Sequence, residues 1–434
     1  MPTPTPNKNN PPWRYRILLR VLSPIILGYT FWKSIQSGGS RYIRERLGLY
    51  EVNTSNAQSN NKRLWVHAAS VGEVITVLPL VKSWLAAVDN GQVLFTTGTP
   101  TGYQVLEKQN INGVTHQYLP IDYPGACSRF LKQANINQVW IVETEIWPWL
   151  YSRCYEKGVK LTIINGRLSD KTSNQSVGFL ASSYFRALSH VRILARTHED
   201  ARRFISLGAK ADSVQIAGDL KYATSDVQSD IEPFIKQPFV LAASTHADEE
   251  LQIAEAWRLA NKSKALLVIV PRHPERGPSI YNDLIKKGFT VALRSADQTP
   301  GSEDDIYVVD TLGELPILYQ SALGAFVGGS LIERGGHNII EPAQFACPTI
   351  VGPYTFNFTD MVTRLEKNNA IAVAHTASEV AIFLANASHG NIAQQEMGKR
   401  AQVVADADRQ LTLDNYQNLL FSDSLLGTCT DYHC

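Results

Sequence analysis

Cysteine is sparse and scattered. Cys127, Cys154, Cys347, Cys429 and Cys434 form no Cys-x-x-Cys pair in 434 residues, which excludes a zinc ribbon or dithiol redox motif and suits a reducing compartment. Cys429 and Cys434 stand in a polar tail that is not a prenylation box, and they read as incidental. An excess of one charge is also missing. Lys and Arg number 41 against 40 Asp and Glu, a formal net charge of +1, so electrostatic capture of nucleic acid is not the expected activity. No Gly-Lys-Ser/Thr follows a glycine-rich loop, and there is no Gly-x-Gly-x-x-Gly turn, so neither a Walker site nor a dinucleotide fingerprint is present. No fixed-period repeat links the two halves. What remains is core-forming material: 44% hydrophobic and 19% charged residues, a globular composition in a chain long enough for two domains.

Long apolar runs are also lacking. The one candidate, Ile17 to Trp32, has 16 residues interrupted by Arg20 and Pro24, short of the roughly 20 needed to span a bilayer. Arg14, Arg16 and Arg20 on one side, Lys33, Arg41, Arg44 and Arg46 on the other, and Trp13, Tyr15, Tyr29 and Trp32 as aromatic anchors fit a segment held at an anionic membrane surface. A marginal span, an interfacial helix and an ordinary buried helix all remain open. No small-residue cleavage site follows, so the segment does not read as a removed signal peptide.

From Leu64 onward, short apolar runs alternate with helical patterns, as in βαβ units around a parallel sheet. Leu64–Ala69, Val93–Thr97, Gln138–Val142 and Leu161–Ile164 form a first set. Phe239–Ala243, Leu266–Val270, Ile306–Val309, Ala325–Gly328 and Thr349–Val351 form a second, after a polar linker from Ala223 to Pro238. The expected fold is α/β: two Rossmann-like, doubly wound parallel-sheet domains facing a cleft, plus an N-terminal membrane-associated helix. The expected limits are 1–50 for the membrane-associated segment, 51–225 for the first domain, 226–420 for the second and 421–434 for the polar tail. Ligands of open α/β sheets bind beyond the carboxyl ends of the strands, so the chemistry should lie in the turns that follow each run.

Ser70-Val71-Gly72-Glu73 follows the first run. Ser-x-x-Glu is a capping box, in which Ser70 and Glu73 satisfy each other's amides; a carboxylate at a strand end is equally a candidate general base. Glu143-Thr144-Glu145 follows the third run, and in an extended segment both acids point the same way. In the second half, Arg272 and His273 follow a strong apolar strand and can hold a phosphate or form a structural ion pair. The hydroxyls of Ser244 and Thr245 can cap a helix starting near Ala247 or hold a ligand. Gly328-Gly329-Ser330 and Gly335-Gly336-His337-Asn338 allow close backbone approach, Asn338 is placed to cap a helix whose amides face an anion, and with Glu341 these residues point to a nucleotide's ribose and phosphate. Asp304-Asp305 is the one Asp pair, in a polar loop, and is not read as a metal site.

In one order along Trp13 to Asn418, these segments resemble the Kdo (3-deoxy-D-manno-oct-2-ulosonic acid) transferases of lipopolysaccharide synthesis, inverting GT-B glycosyltransferases of family 30. The motifs are Ala69–Glu73, Thr99-Pro100-Thr101-Gly102, Leu119-Pro120-Ile121-Asp122, Glu143-Thr144-Glu145-Ile146-Trp147-Pro148, Asn165-Gly166-Arg167-Leu168-Ser169, Gly218-Asp219-Leu220-Lys221, Val270–Glu275, Gly336–Pro342 and Gly352–Asn357. The resemblance implies Glu73 as the base that deprotonates the acceptor hydroxyl, Glu143 in the acceptor-side cleft, and Arg272 with the Gly336–Glu341 loop on the CMP part of the donor. Lys221 would join Arg272 in offsetting charge on the departing phosphate. It further implies CMP-Kdo and a lipid A precursor as partners, no metal or other cofactor, and a place on the cytoplasmic face of the inner membrane. Asp219 departs from the family's usual Asn, which adds a negative charge beside Lys221. A UDP-sugar transferase or epimerase of the same fold is the alternative expectation.

Overall fold

The computed structural model describes residues 10–50, 62–168, 178–223, 232–262 and 265–425. Ser169, Cys429, Cys434 and much of the expected linker lie outside them. The chain divides into two compact units, Met1–Thr224 with Leu411–Cys434, and Ser225–Gln410.

In the first unit, β1 (Arg63–Ala68), β2 (Gln92–Thr97), β3 (Val114–Tyr118), β4 (Gln138–Val142), β5 (Lys160–Gly166), β6 (Arg192–Ala195) and β7 (Val214–Ile216) form one sheet in the order β3-β2-β1-β4-β5-β6-β7. All its pairings are parallel. The central strands are buried on both faces: Trp65 of β1 and Val139 and Ile141 of β4 join one apolar cluster, while Leu64, Val66, Trp140 and Val142 join another. Two-sided burial is why these strands read as unbroken apolar runs. Strands β3, β6 and β7 escaped the sequence reading. Val-Thr-His-Gln-Tyr at β3 is polar because it forms the edge of the sheet, and β6 and β7 are only four and three residues long.

The second unit repeats the plan with β8 (Phe239–Thr245), β9 (Leu266–Pro271), β10 (Val291–Leu293), β11 (Ile306–Val308), β12 (Ala325–Val327), β13 (Thr349–Val351) and β14 (Ala372–Val373), in the order β10-β11-β9-β8-β12-β13-β14. These pairings are also parallel. Two tandem Rossmann-like units are the make-up of the GT-B fold. In each sheet the strand order reverses direction beside the first strand, between β1 and β4 and between β8 and β12, and such switch points open crevices at the carboxyl ends.

The N-terminal segment is a helix, Trp13–Lys33, followed by a π-helical turn, Ser34–Gly38, and a second helix, Gly39–Arg46. Among the described residues, no helix is long and apolar enough to cross a membrane. One side of the helix is nonetheless docked. Tyr15 and Leu19 pack on the first unit's core, and the Tyr15 hydroxyl donates to buried Asp122 at 2.5 Å. The other side leaves Val21, Ile25, Phe31, Trp32 and Ile35 more than half exposed.

A long helix, Ile392–Leu425, ends the described chain. Residues from Leu411 on, which the periodicity left with the second domain and the tail, pack with the first unit instead. Tyr416 is fully buried there; its hydroxyl accepts from the Asn165 amide and donates to the Gly218 carbonyl, both at 3.1 Å. Leu420 and Phe421 join the same core. Tyr416→Phe leaves the Asn165 N–H and Gly218 carbonyl without that partner, a loss of about 1–3 kcal/mol. The first transition of a urea melt should move to lower denaturant, and an unchanged midpoint would contradict the anchor.

Candidate active site

The β1–β4 switch point gathers three carboxylates. Ser70 caps the helix Val71–Ala87, its hydroxyl accepting from the Glu73 amide at 3.3 Å. The Glu73 carboxylate reaches back, accepting from the Ala69 amide at 2.8 Å and the Ser70 hydroxyl at 2.9 Å. The capping box is therefore real. It does not hold Glu73 at an ordinary acidity: burial, reinforced by the charges of Glu143 and Glu145, outweighs these hydrogen bonds and raises its pKa to about 7. A carboxylate poised there is matched to proton abstraction near neutral pH.

Glu143 leaves β4 with φ of 60°, its amide donating to the Ile164 carbonyl at 2.9 Å. The segment is a turn, so the expectation that an extended backbone aligns Glu143 and Glu145 is corrected: a left-handed residue breaks the two-residue alternation on which it rests. The two acids still sense each other electrostatically. Burial raises the pKa of each. For Glu143, Arg196, Arg167 and Lys221 pull the other way.

Lys221 thus belongs to the first unit, in the short helix Leu220–Ala223, where its charge bears on Glu143. Asp219 accepts from the Lys221 amide at 3.0 Å and pairs with Arg196 at 2.9 Å, so its extra negative charge is largely met by Arg196. Asn165, at the end of β5 with φ of 53°, accepts from the Leu220 amide at 3.0 Å and thereby sets where this turn starts.

In the second unit, the other candidates collect at the ends of β8, β9 and β12. The strand β8 bulges at Ser244, whose φ is 53°. Thr245 is completely buried. Neither hydroxyl caps the next helix, which begins at Glu249 rather than near Ala247. The residue that organises the turn is Glu249, which the sequence reading missed. Its buried carboxylate accepts from the amides of His246 at 2.9 Å, Gly329 at 2.8 Å and Leu331 at 3.2 Å, stitching the end of β8 to the glycine loop after β12. A Glu three residues beyond His246 was its only signal in the sequence.

Arg272 stands exposed after β9, its backbone amide donating to the Thr245 carbonyl at 2.9 Å. The structural ion pair of this region is made instead by Arg276, which forks onto Glu250 at 2.7 and 3.3 Å. His273 lies 3.6 Å from Glu275 on the surface. His337 approaches His246 with Nε2 atoms 2.8 Å apart and rings nearly parallel, and His246 also meets the edge of His273. Burial, then the positive surroundings of His246, Arg272 and His273, push His337 down to about 4; burial and Arg334 lower His246. Gly336 adopts φ of 74° and donates to the Gly329 carbonyl at 2.8 Å. A Cβ on Gly329 would meet the His337 ring at 3.1 Å, so a side chain there would crowd the histidine pair. Asn338 accepts from the Ile340 amide at 3.1 Å and opens the five-residue helix Ile340–Gln344, with half-buried Glu341 in its first turn. The result sets exposed Arg272 and the histidine pair together at the ends of β8, β9 and β12, where the guanidinium can fork onto a phosphate.

Asp304 and Asp305 tie their own loop together, accepting from Gly301 and from Thr290. Among the described residues, no group of three or more His, Cys, Asp or Glu side chains could hold a metal ion.

The family model for 3-deoxy-D-manno-octulosonic-acid transferase (kdotransferase) matches residues 41–224. The 3-deoxy-D-manno-octulosonic acid transferase of Haemophilus influenzae is 33% identical over 384 residues, covering 84% of this chain and 88% of that protein. The chain belongs to the 3-deoxy-D-manno-octulosonic acid transferase family. The Bordetella pertussis transferase of the same description is 32% identical over 367 residues, covering 80% of this chain and 84% of the other. A UDP-N-acetylglucosamine 2-epimerase structure shares the fold at a TM-score of 0.57 and 13% identity, over 86% of this chain and 99% of its own. Membership makes the chain a glycosyltransferase, and it gives the carboxylate cluster a reaction to be tested in.

The raised pKa of Glu73 makes a signed prediction. A base must be deprotonated, so kcat/KM should climb as pH rises through about 7, and Glu73→Gln should lower it by roughly 10²–10⁴-fold and flatten that limb. A Gln variant with the parental rate and profile would remove Glu73 from the chemistry.

The histidine pair makes another. Both rings are held below their ordinary pKa, and an arriving phosphate raises their affinity for protons. CMP binding near pH 6 should take up protons, seen by calorimetry as an enthalpy that changes with the buffer's ionisation heat. An enthalpy independent of buffer would place the nucleotide phosphate elsewhere.

Proposed function

We propose that this protein transfers Kdo from CMP-Kdo to a sugar hydroxyl of a lipid A precursor, with inversion at the anomeric carbon. The observation that carries this reading is Glu73, a carboxylate at the β1–β4 switch point whose pKa is raised to about 7. Glu73 accepts the proton of the acceptor hydroxyl as that oxygen forms its bond to the anomeric carbon and the bond to the CMP phosphate breaks. Glu143 and Glu145 help to keep Glu73 basic, because their negative charges disfavour its ionised form and raise its pKa. CMP leaves as a phosphate monoester and needs no proton from the enzyme. Its charge is met by Arg272 and by the His246–His337 pair, the kind of preorganised donors that favour a departing anion. With these groups at the phosphate the reaction needs no metal.

The acceptor is a membrane lipid, and the N-terminal helix suits that setting. Its exposed Val21, Ile25 and Trp32 face away from the docked side, amid Arg14, Arg16 and Arg20. A helix of this kind lies in the interface of an anionic bilayer. The site is the cytoplasmic face of the inner membrane.

The test is direct. Incubation with CMP-Kdo and a tetraacylated lipid A precursor should add Kdo mass to the lipid in mass spectrometry, at a rate unchanged by EDTA. CMP, and not UDP, should bind in calorimetry. No Kdo on the lipid would reject the reading.

A further inference from the structure

The motif Leu119-Pro120-Ile121-Asp122 follows the edge strand β3 and is held by the N-terminal segment. The Arg46 side chain donates to the Leu119 carbonyl at 2.7 Å, and the Arg46 carbonyl accepts from the Ile121 amide at 2.8 Å. The first helix takes hold of the next two residues. The Tyr15 hydroxyl donates to Asp122 at 2.5 Å, and the Tyr123 hydroxyl donates to that of Ser23 at 2.8 Å.

Asp122 also caps a different helix. Pro148–Glu156 has no side-chain cap of its own, for Trp147 stands at its N-cap position. Pro148 has no amide to satisfy, and the next two amides, of Trp149 and Leu150, donate to the Asp122 carboxylate at 3.0 and 2.8 Å. A carboxylate 27 residues upstream of Trp149 thus replaces a local cap and meets the positive end of the helix. The helix begins just after Glu145, and its Tyr151 hydroxyl donates to the Glu145 carbonyl at 2.6 Å. Glu145 is one of the charges that raise the pKa of Glu73. A continuous path of hydrogen bonds therefore leads from Tyr15 through Asp122 and the first turn of this helix to Glu145, whose charge reaches Glu73.

We infer that Asp122 is a positioning residue of the active site: by capping the helix Pro148–Glu156 it fixes the turn that holds Glu145 within electrostatic reach of Glu73, and by accepting from Tyr15 it makes that turn depend on a docked N-terminal helix. Asp122 is buried, and a charge in such a place is costly when a partner is removed. Loss of the Tyr15 hydroxyl is therefore felt by the two helix amides that share the carboxylate. The N-terminal helix then serves the chemistry itself, apart from any attachment to a bilayer. The inference rests on Glu73 as the base, as proposed above.

The experiment measures kcat and KM for CMP-Kdo and a tetraacylated lipid A precursor dispersed in detergent, so that no bilayer has to be reached. Tyr15→Phe should lower kcat about tenfold with both KM values kept. It should also move the acid limb of the pH profile to lower pH, because a Glu145 no longer held in place raises the pKa of Glu73 less. A parental kcat overturns the inference, and so does a lowered kcat with an unmoved limb, which is the mark of lost folded enzyme. Asp122→Asn should show the same two changes, and parental values in the folded variant overturn the inference as well; should that variant fail to fold, as read by its urea melt, Tyr15→Phe decides. If the unaltered protein transfers no Kdo, the proposed reaction fails and hydrogen exchange decides. The Trp149 and Leu150 amides should then exchange at least about tenfold faster in Tyr15→Phe, and equal rates overturn the inference.

Discussion

Within each sheet the strands run parallel, and the remaining features of each unit follow from that constraint. Parallel strands need crossover connections, which lie over the two faces and bury them. Every carboxyl end of a sheet then lies on one side, where the turns that begin the crossovers leave the ends of the central strands open. At the switch points neighbouring crossovers leave in opposite directions and open a gap. Glu73 and Glu143 occupy that gap in the first sheet, at the ends of β1 and β4. Ser244 and Gly329 flank it in the second, with Arg272 one strand away.

The gap makes severe demands on the backbone. Glu143, Asn165 and Ser244 all take positive φ at strand ends without being glycine, a conformation that costs of order 1–3 kcal/mol apiece and survives only where neighbours enforce it. The enforcing neighbours are visible. Glu143 is held by the Ile164 carbonyl, Asn165 by Tyr416 and Leu220, and the Ser244 bulge by Arg272 on one side and Glu249 beyond it. The carboxylates divide accordingly. Glu249 accepts three donors and Asp122 four, and both serve the framework. Glu73 accepts only two, beside two other acids, and keeps an acidity that can change within a reaction cycle.

Much of this was legible before any coordinates. The buried central strands announced themselves by unbroken apolar runs, and the positions of Glu73, Glu143, Arg272 and His337 after those runs put them at the functional edge. Edge strands such as β3 did not, because an edge needs little apolar surface. Glu249 was hidden because two of the three amides it binds, those of Gly329 and Leu331, lie far along the chain. Glu145 was misjudged in direction because nothing in Glu-Thr-Glu announces a left-handed residue. Lys221, inside the expected limits of the first domain, lies in the first unit, where its charge bears on Glu143.

The helix Ile392–Leu425 belongs to the second unit up to Gln410 and to the first from Leu411, and this has a consequence for biosynthesis. A ribosome working at about 5–20 residues per second needs roughly 10–40 s to make the second unit. Throughout that interval the first unit lacks Tyr416, Leu420 and Phe421, all of which finish its interior. The nascent first unit therefore waits with an open apolar flank and with the Asn165 turn unpinned. Only the segment from Leu411, made after the whole second unit, closes it, so a product terminated before that segment is a substrate for chaperones and proteases rather than a free-standing half-enzyme.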